Sequence, residues 1–75
     1  MIGDVLRQAR REAELTQEQL AFATGLSRSY ISFLERDEKN PTIKTLFKIC
    51  EVLEVRPSEF VARVEDDLGG EFEFP

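Results

Sequence analysis

A segment of barely two helical turns, fenced by capping residues at both ends and followed at once by another cap, constrains this chain more than any other feature. It lies in LTQEQLAFATGLSRSYISFLE, residues 15–35. Thr16 is a good N-cap, and Gln19, three residues on, can return the hydrogen bond as a capping box. Leu15 before the cap and Leu20 after it stand where a hydrophobic staple closes. Gly25 stops the helix, because glycine takes the left-handed conformation without a Cβ penalty. The spacing thus predicts a helix over about 17–24. Leu26 and Ser27 then repeat the grammar, with Ser27 as cap and Ile31 at the staple position, for a helix running to about Glu35 or Arg36.

The rest of the chain is read the same way. Residues 2–13 place Ile2, Leu6, Ala9 and Ala13 at helical spacing, flanked by Val5, with Arg7, Gln8 and Arg11 off that stripe. Pro41 disfavours helix in the residue before it and ends the RDEKNP stretch as a loop. Thr42 caps a fourth segment, with Ile43, Leu46, Phe47, Cys50 and Leu53 expected on one side. Pro57 opens a fifth at the first helical position, where its missing N–H costs nothing, and Phe60, Val61, Val64 and Leu68 are expected to face inward. Gly69 and Gly70 end it. Strand signals are nearly absent, so the expected fold class is all-α, a five-helix bundle over residues 1–68. Residues 69–75 follow as an acidic tail, expected to be flexible, in which EFEFP has the alternation of a short strand.

Charge argues against nucleic acid only until it is mapped. The net charge is −5. All 10 Lys and Arg lie in residues 1–64 with 10 of the 15 Asp and Glu, and the other five acids crowd into residues 65–75. The body is neutral, and no carboxylate occurs from Gly25 to Leu34. A chain of 75 residues makes one domain at most. It buries only roughly 60% of its unfolded surface, so a partner chain would help it. No apolar run approaches a membrane span, and the N-terminal stretch has no signal-peptide shape. One cysteine forms no internal disulfide, which fits a reducing cytoplasm.

Two short helices joined by Gly25-Leu26-Ser27 form the pattern of a helix-turn-helix. With Thr16-Gln17, Leu20-Ala21, Ile31, Leu34-Glu35, Asn40-Pro41 and the apolar pattern that follows, residues 2–64 resemble the Cro/C1-type (XRE-like) helix-turn-helix family. Within it, LAFATGLSRSYIS is similar to the controller proteins of restriction–modification systems. The resemblance implies a lambda-repressor-like bundle that binds operator DNA as a homodimer, with its third helix in the major groove. It implies a cytoplasmic transcription regulator with double-stranded DNA as partner, no cofactor, no metal and no small-molecule ligand.

At 3.6 residues per turn, Ser27, Ile31, Leu34 and Glu35 fall on the buried side of the third helix. Arg28, Ser29, Ser32, Phe33 and Arg36 fall outward. Arg28, Ser29, Ser32 and Phe33 are the candidate base readers, Arg28 by forking onto a guanine. Phe33 has two open uses, touching a thymine methyl or folding over the following loop. Tyr30, on the flank, either packs on the second helix or meets a phosphate. Free N–H groups at the starts of the second and fourth helices favour anions, so Thr16, Gln17, Thr42 and Lys44, with Lys39, Asn40, Tyr30 and Arg36, are the candidate phosphate contacts. Asp37 and Glu38 are expected to point away. By the resemblance, Arg10 and Glu35 form a structural ion pair.

This chain departs from the family where glycine often follows helices one, three and four, having Glu14, Asp37 and Glu54 instead. Positive φ is expected at one or more of them. A single recognition helix reads too few base pairs to specify a genomic site, and Val55, Phe60, Val61 and Val64 are the candidate dimer surface. An enzyme is disfavoured: there is no histidine, and Cys50 lies on an apolar stripe. The competing reading is a protein-binding module on the same fold, an antitoxin- or anti-repressor-like partner. The acidic tail, Phe22, Phe33, Phe72 and Phe74 favour it, Phe22 being either a partner contact or covered by the last two helices.

Overall fold

The computed structural model describes residues 1–69, and the expectations about EFEFP and most of the acidic tail fall outside them. Five helices follow in order: α1 (Ile2–Glu12), α2 (Gln17–Thr24), α3 (Arg28–Glu35), α4 (Ile43–Leu53) and α5 (Pro57–Leu68). Three begin on the expected caps. The Thr16 hydroxyl accepts from Gln19 N at 3.0 Å while Gln19 Oε1 accepts from Thr16 N at 2.8 Å, a complete capping box. Ser27 and Thr42 accept from Tyr30 N and Thr45 N. Pro57 opens α5.

The first four helices also end alike. At each end a residue of positive φ reverses the chain: Glu14 (59°), Gly25 (73°), Asp37 (57°) and Glu54 (57°). The next residue then donates back across the last turn, Leu15 to Arg10 O, Leu26 to Ala21 O, Glu38 to Phe33 O and Val55 to Cys50 O, all between 2.9 and 3.1 Å. Each reversal satisfies carbonyls that the helix end leaves without partners. That gain offsets the roughly 1–2 kcal/mol that a Cβ costs in this conformation. The left-handed turns are therefore kept at all three non-glycine positions.

α3 packs on α1 and α2, α4 on α2 and α5, and α5 closes back on α1. The core is Val5, Leu6, Ala9, Leu20, Ala21, Ile31, Leu34, Leu46, Ile49, Cys50, Leu53 and Phe60. Thr24, also buried, donates its hydroxyl to Leu20 O at 2.8 Å. Burial pushes the Cys50 thiol above its ordinary pKa, so it is an inert core residue.

Two apolar stripes are rotated from expectation. On α4, Ile49 is 1% exposed and belongs to the core, whereas Ile43 and Phe47 are 70% and 55% exposed. Residues 46, 49, 50 and 53 satisfy helical spacing as well as 43, 46, 47, 50 and 53 do, and packing between α2 and α5 selects the first set. On α5, Phe60 is fully buried, Val64 packs half-buried on the core, Leu68 is half-buried, and Val61 is exposed. Ser27, expected on the buried side of α3, is exposed and serves only as cap.

Candidate nucleic-acid interface

A single carboxylate fixes the angle at which α3 is presented. Glu35, 2% exposed, accepts from Arg10 Nε at 2.6 Å and Arg10 Nη2 at 3.1 Å, a bidentate pair. Arg10 Nη1 donates to Leu15 O at 2.8 Å, and Gln17 Nε2 donates to Glu35 Oε1 at 3.0 Å. Arg7 Nη2 donates to Glu35 O at 2.9 Å. The last turn of α3 is thereby tied to α1 and to the start of α2. Burial pushes the Glu35 carboxyl up, but hydrogen bonds from Arg10 and Gln17 and the charges of Arg10 and Arg7 outweigh it and hold the pKa low. The buried charge is fully partnered, as it must be.

Held this way, α3 turns Arg28, Ser29, Ser32, Phe33 and Arg36 toward a shared open hollow of about 290 Å³, with Gln17 on its rim. Arg28 also borders the hollow beside Thr16 and Gln17 at the start of α2. No acidic residue stands in the first turn of α3. The residues expected to read bases thus share one surface.

Phe33 meets the following loop while staying on that surface. Its ring lies half-buried with the Arg36 guanidinium 5.3 Å and the Lys39 ammonium 5.0 Å from the centroid. Both distances are within cation–π range. The ring therefore gathers two cations at the end of α3. Tyr30 packs half-buried against the core cluster. Lys39, Asn40, Thr42 and Lys44 are exposed at the loop and the start of α4. The Thr42 hydroxyl donates to Thr45 Oγ1 at 3.0 Å and accepts from Thr45 N, so the cap takes one of the N–H groups at this end of α4.

Three readings are corrected. Gln17 spends an amide hydrogen on Glu35, so its side chain belongs to the α1–α3 lock as well as to the α2 start. Glu38 does not point away from the basic face, since its Oε2 accepts from Arg36 Nε at 2.8 Å. The left-handed residue Asp37 folds the chain back and brings Glu38 beside the last turn it follows. Phe60 leaves the candidate dimer surface because it is spent in the core, while Val55 and Val64 remain half-buried and Val61 exposed. Phe22 is 90% exposed, so α4 and α5 do not cover it.

Two contributions were missed in the sequence. Arg7 looked like a solvated residue off the apolar stripe, and no local spacing links it to Glu35, 28 positions away. Asp37 was expected only to point away; it does so by capping α1, with Gly3 N donating to its Oδ1 at 2.9 Å.

Comparison with known proteins places this geometry. The family model described as helix-turn-helix matches residues 6–60. An uncharacterized HTH-type transcriptional regulator, y4dJ of Sinorhizobium fredii, is 36% identical over 66 residues, covering 88% of this chain and 86% of its own. Some other curated relatives are longer. The chain spans 42%, 34% and 15% of three of them, the last a type II methyltransferase. The crystal structure of the restriction–modification controller protein C.AhdI from Aeromonas hydrophila superimposes with a TM-score of 0.75 at 37% identity, covering 79% of this chain and 89% of that one. SinR, a master regulator for biofilm formation solved in complex with DNA, superimposes with a TM-score of 0.77 at 35% identity, covering 81% and 98%.

Proposed function

The chain belongs to the helix-turn-helix family, and on that premise we propose that it is a DNA-binding transcriptional regulator that reads an operator through the major groove as a homodimer. One observation carries the reading. The carboxylate-free start of α3 gathers Arg28, Ser29, Ser32, Phe33 and Arg36 around one open hollow, and the Arg10–Glu35 lock holds that helix rigidly to the scaffold. Arg28 supplies the fork for a guanine, and the serines hydrogen-bond bases or phosphates. The N-termini of α2 and α4, with Thr16, Gln17, Thr42 and Lys44, take flanking phosphates, joined by Tyr30, Arg36, Lys39 and Asn40.

Two copies related by a two-fold axis would place two α3 helices about one DNA turn apart. Val61, with the half-buried Val55 and Val64, is the surface assigned to that contact. Like the regulators it resembles, the protein would act in the cytoplasm. Among the described residues no helix is long and apolar enough to cross a membrane.

Selection of random duplexes by the purified protein tests this reading. It should return a pseudo-palindrome, whose half-site and spacing give the readout and the dimer together. A protein-binding module is favoured by Phe22, which stands almost wholly in solvent. A salt titration separates the two, because binding through several phosphates weakens steeply as salt rises. Undetectable affinity for random duplex at low salt would select the protein-binding reading.

A further inference from the structure

The Arg36–Glu38 pair is out of place on a surface meant for a polyanion. Arg36 leaves the last turn of α3 over the Phe33 ring, and Lys39 approaches the same ring. On such a face a free guanidinium would be expected. Instead Arg36 Nε donates to Glu38 Oε2 at 2.8 Å, with both side chains about half exposed. The carboxylate takes Nε and so denies a phosphate the Nε–Nη2 side of the fork, one of the two sides through which an arginine binds bidentately. It does not cap α3, whose end is closed through backbone bonds. Asp37, the neighbouring acid, is turned back to Gly3 and competes for neither cation.

We propose that Glu38 tempers affinity for DNA: a built-in competitor that holds Arg36 over Phe33 until docked DNA displaces it. This rests on the DNA-binding reading above. On random duplex Arg36 exchanges one exposed acceptor for another, and the displaced carboxylate is left near phosphates. That exchange gains little. On the operator α3 is seated, the fork meets an acceptor aligned by the rest of the interface, and the exchange is favourable. Glu38 therefore subtracts the worth of the pair from operator binding and no more than that from random binding. Phe33 supplies the platform that keeps the guanidinium extended in both states, so release costs no large rearrangement.

The experiment compares wild type, Glu38→Gln, Arg36→Gln and the double variant on random duplex and on the selected duplex, across a salt series. Glu38→Gln is expected to bind random duplex about three- to fivefold more tightly, the range an exposed ion pair spans. Its salt dependence should steepen by about 0.9 in the log–log slope, one added phosphate contact. Affinity for the selected duplex should rise at least as much, and the gain should vanish in the Arg36→Gln background. An equal gain in both backgrounds would show a free charge acting at a distance and overturn the proposal, as would no gain at all. A DNA-free measurement keeps the outcomes apart. The Arg36 Nε–H resonance should be shifted by hydrogen bonding in wild type and should move in Glu38→Gln. An Arg36 signal indifferent to Glu38 refutes the clamp even if DNA binds normally. A shifted signal in a protein that binds no duplex refutes the DNA reading, and the tempering role with it.

Discussion

Asp37 caps a helix that begins 35 residues before it: its Oδ1 accepts from Gly3 N at 2.9 Å, across the seam between α1 and the end of α3. Its other oxygen accepts from the Met1 ammonium at 3.1 Å. The same residue holds φ at 57° to reverse the chain after α3. Gly3 allows the approach, since a Cβ there would collide with the Glu35 carbonyl. One seam thus joins the N-terminus of the scaffold to the end of the helix offered to DNA.

Substitutions at Asp37 separate its two tasks. Asp37→Asn keeps both an acceptor and a tolerance for the left-handed conformation, and should cost less than about 1 kcal/mol. Asp37→Gly removes the cap and also the backbone strain, two effects of about 1 kcal/mol each that nearly cancel. Asp37→Ala loses the cap and keeps the strain, for a loss of about 1 kcal/mol. Urea unfolding gives the order. Equal stability of the Ala and Asn variants would show that the cap contributes nothing.

The Arg10–Glu35 pair predicts a larger effect. Arg10→Ala leaves a buried carboxylate with fewer partners and should cost about 3–5 kcal/mol, comparable with the whole stability of a domain this small. Gln17→Ala removes one neutral donor to the same oxygen and should cost about 1–2 kcal/mol. Thermal melts followed by circular dichroism read both. An Arg10→Ala variant melting like wild type would dismiss the pair as the anchor of α3.

Acid should unfold the protein through the same seam. For Glu35 and Asp37 alike, burial pushes the carboxyl up, and the partners outweigh it. For Asp37 these are the Gly3 N–H and the Met1 ammonium, with Arg7 adding to them. Both pKa values lie below those of the unfolded chain. Their stabilisation is therefore complete above the unfolded values of about 4 and is lost as pH falls through the folded ones. Unfolding free energy should be level from pH 7 to about 5 and then decline. Asp37→Asn should have a shallower acid limb, and an unchanged limb would remove Asp37 from the account.

What the sequence disclosed was whatever depends on neighbours in the chain. The Thr16 capping box, the Ser27 and Thr42 caps and the Gly25 turn are local hydrogen-bond choices, legible within a few residues. The outward face of α3 follows from periodicity once Ile31 and Leu34 are taken as buried, which they are. Ile49 was missed because two stripes on α4 fit one period, and only packing against α2 and α5 selects between them. The partners of Arg7 and Asp37 were missed and Glu38 was misread because those partners come from the fold: a carbonyl 28 residues away, an amide 34 away, and a guanidinium reached through a left-handed turn.

Phe60 and Val61 should part company in solution. Phe60 fills the core, and Phe60→Ala should cost about 3–5 kcal/mol. Val61 is exposed on the same helix, and Val61→Glu should leave the helical spectrum unchanged while shifting sedimentation from dimer toward monomer. A Val61→Glu protein that sediments as wild type would remove α5 from the interface. Exposed Ile43 and Phe47 on α4 would then be the residues to charge next.

Arg28 and Lys44 should fail on DNA in different ways. Arg28 stands at the start of α3 on the rim of the hollow, where its fork can meet one guanine. Arg28→Ala should cost about 1–3 kcal/mol on the selected duplex and much less on a duplex mutated at that base pair, relaxing specificity there. Lys44 stands exposed in the first turn of α4, where a phosphate is the only expected contact. Lys44→Ala should weaken every duplex alike and reduce the slope of log affinity against log salt by about 0.9. Titrations of both duplexes over a salt series give the four numbers needed. If Arg28→Ala lowers affinity equally for matched and mismatched duplexes, Arg28 is a phosphate contact, and base reading passes to Ser29, Ser32 and Phe33.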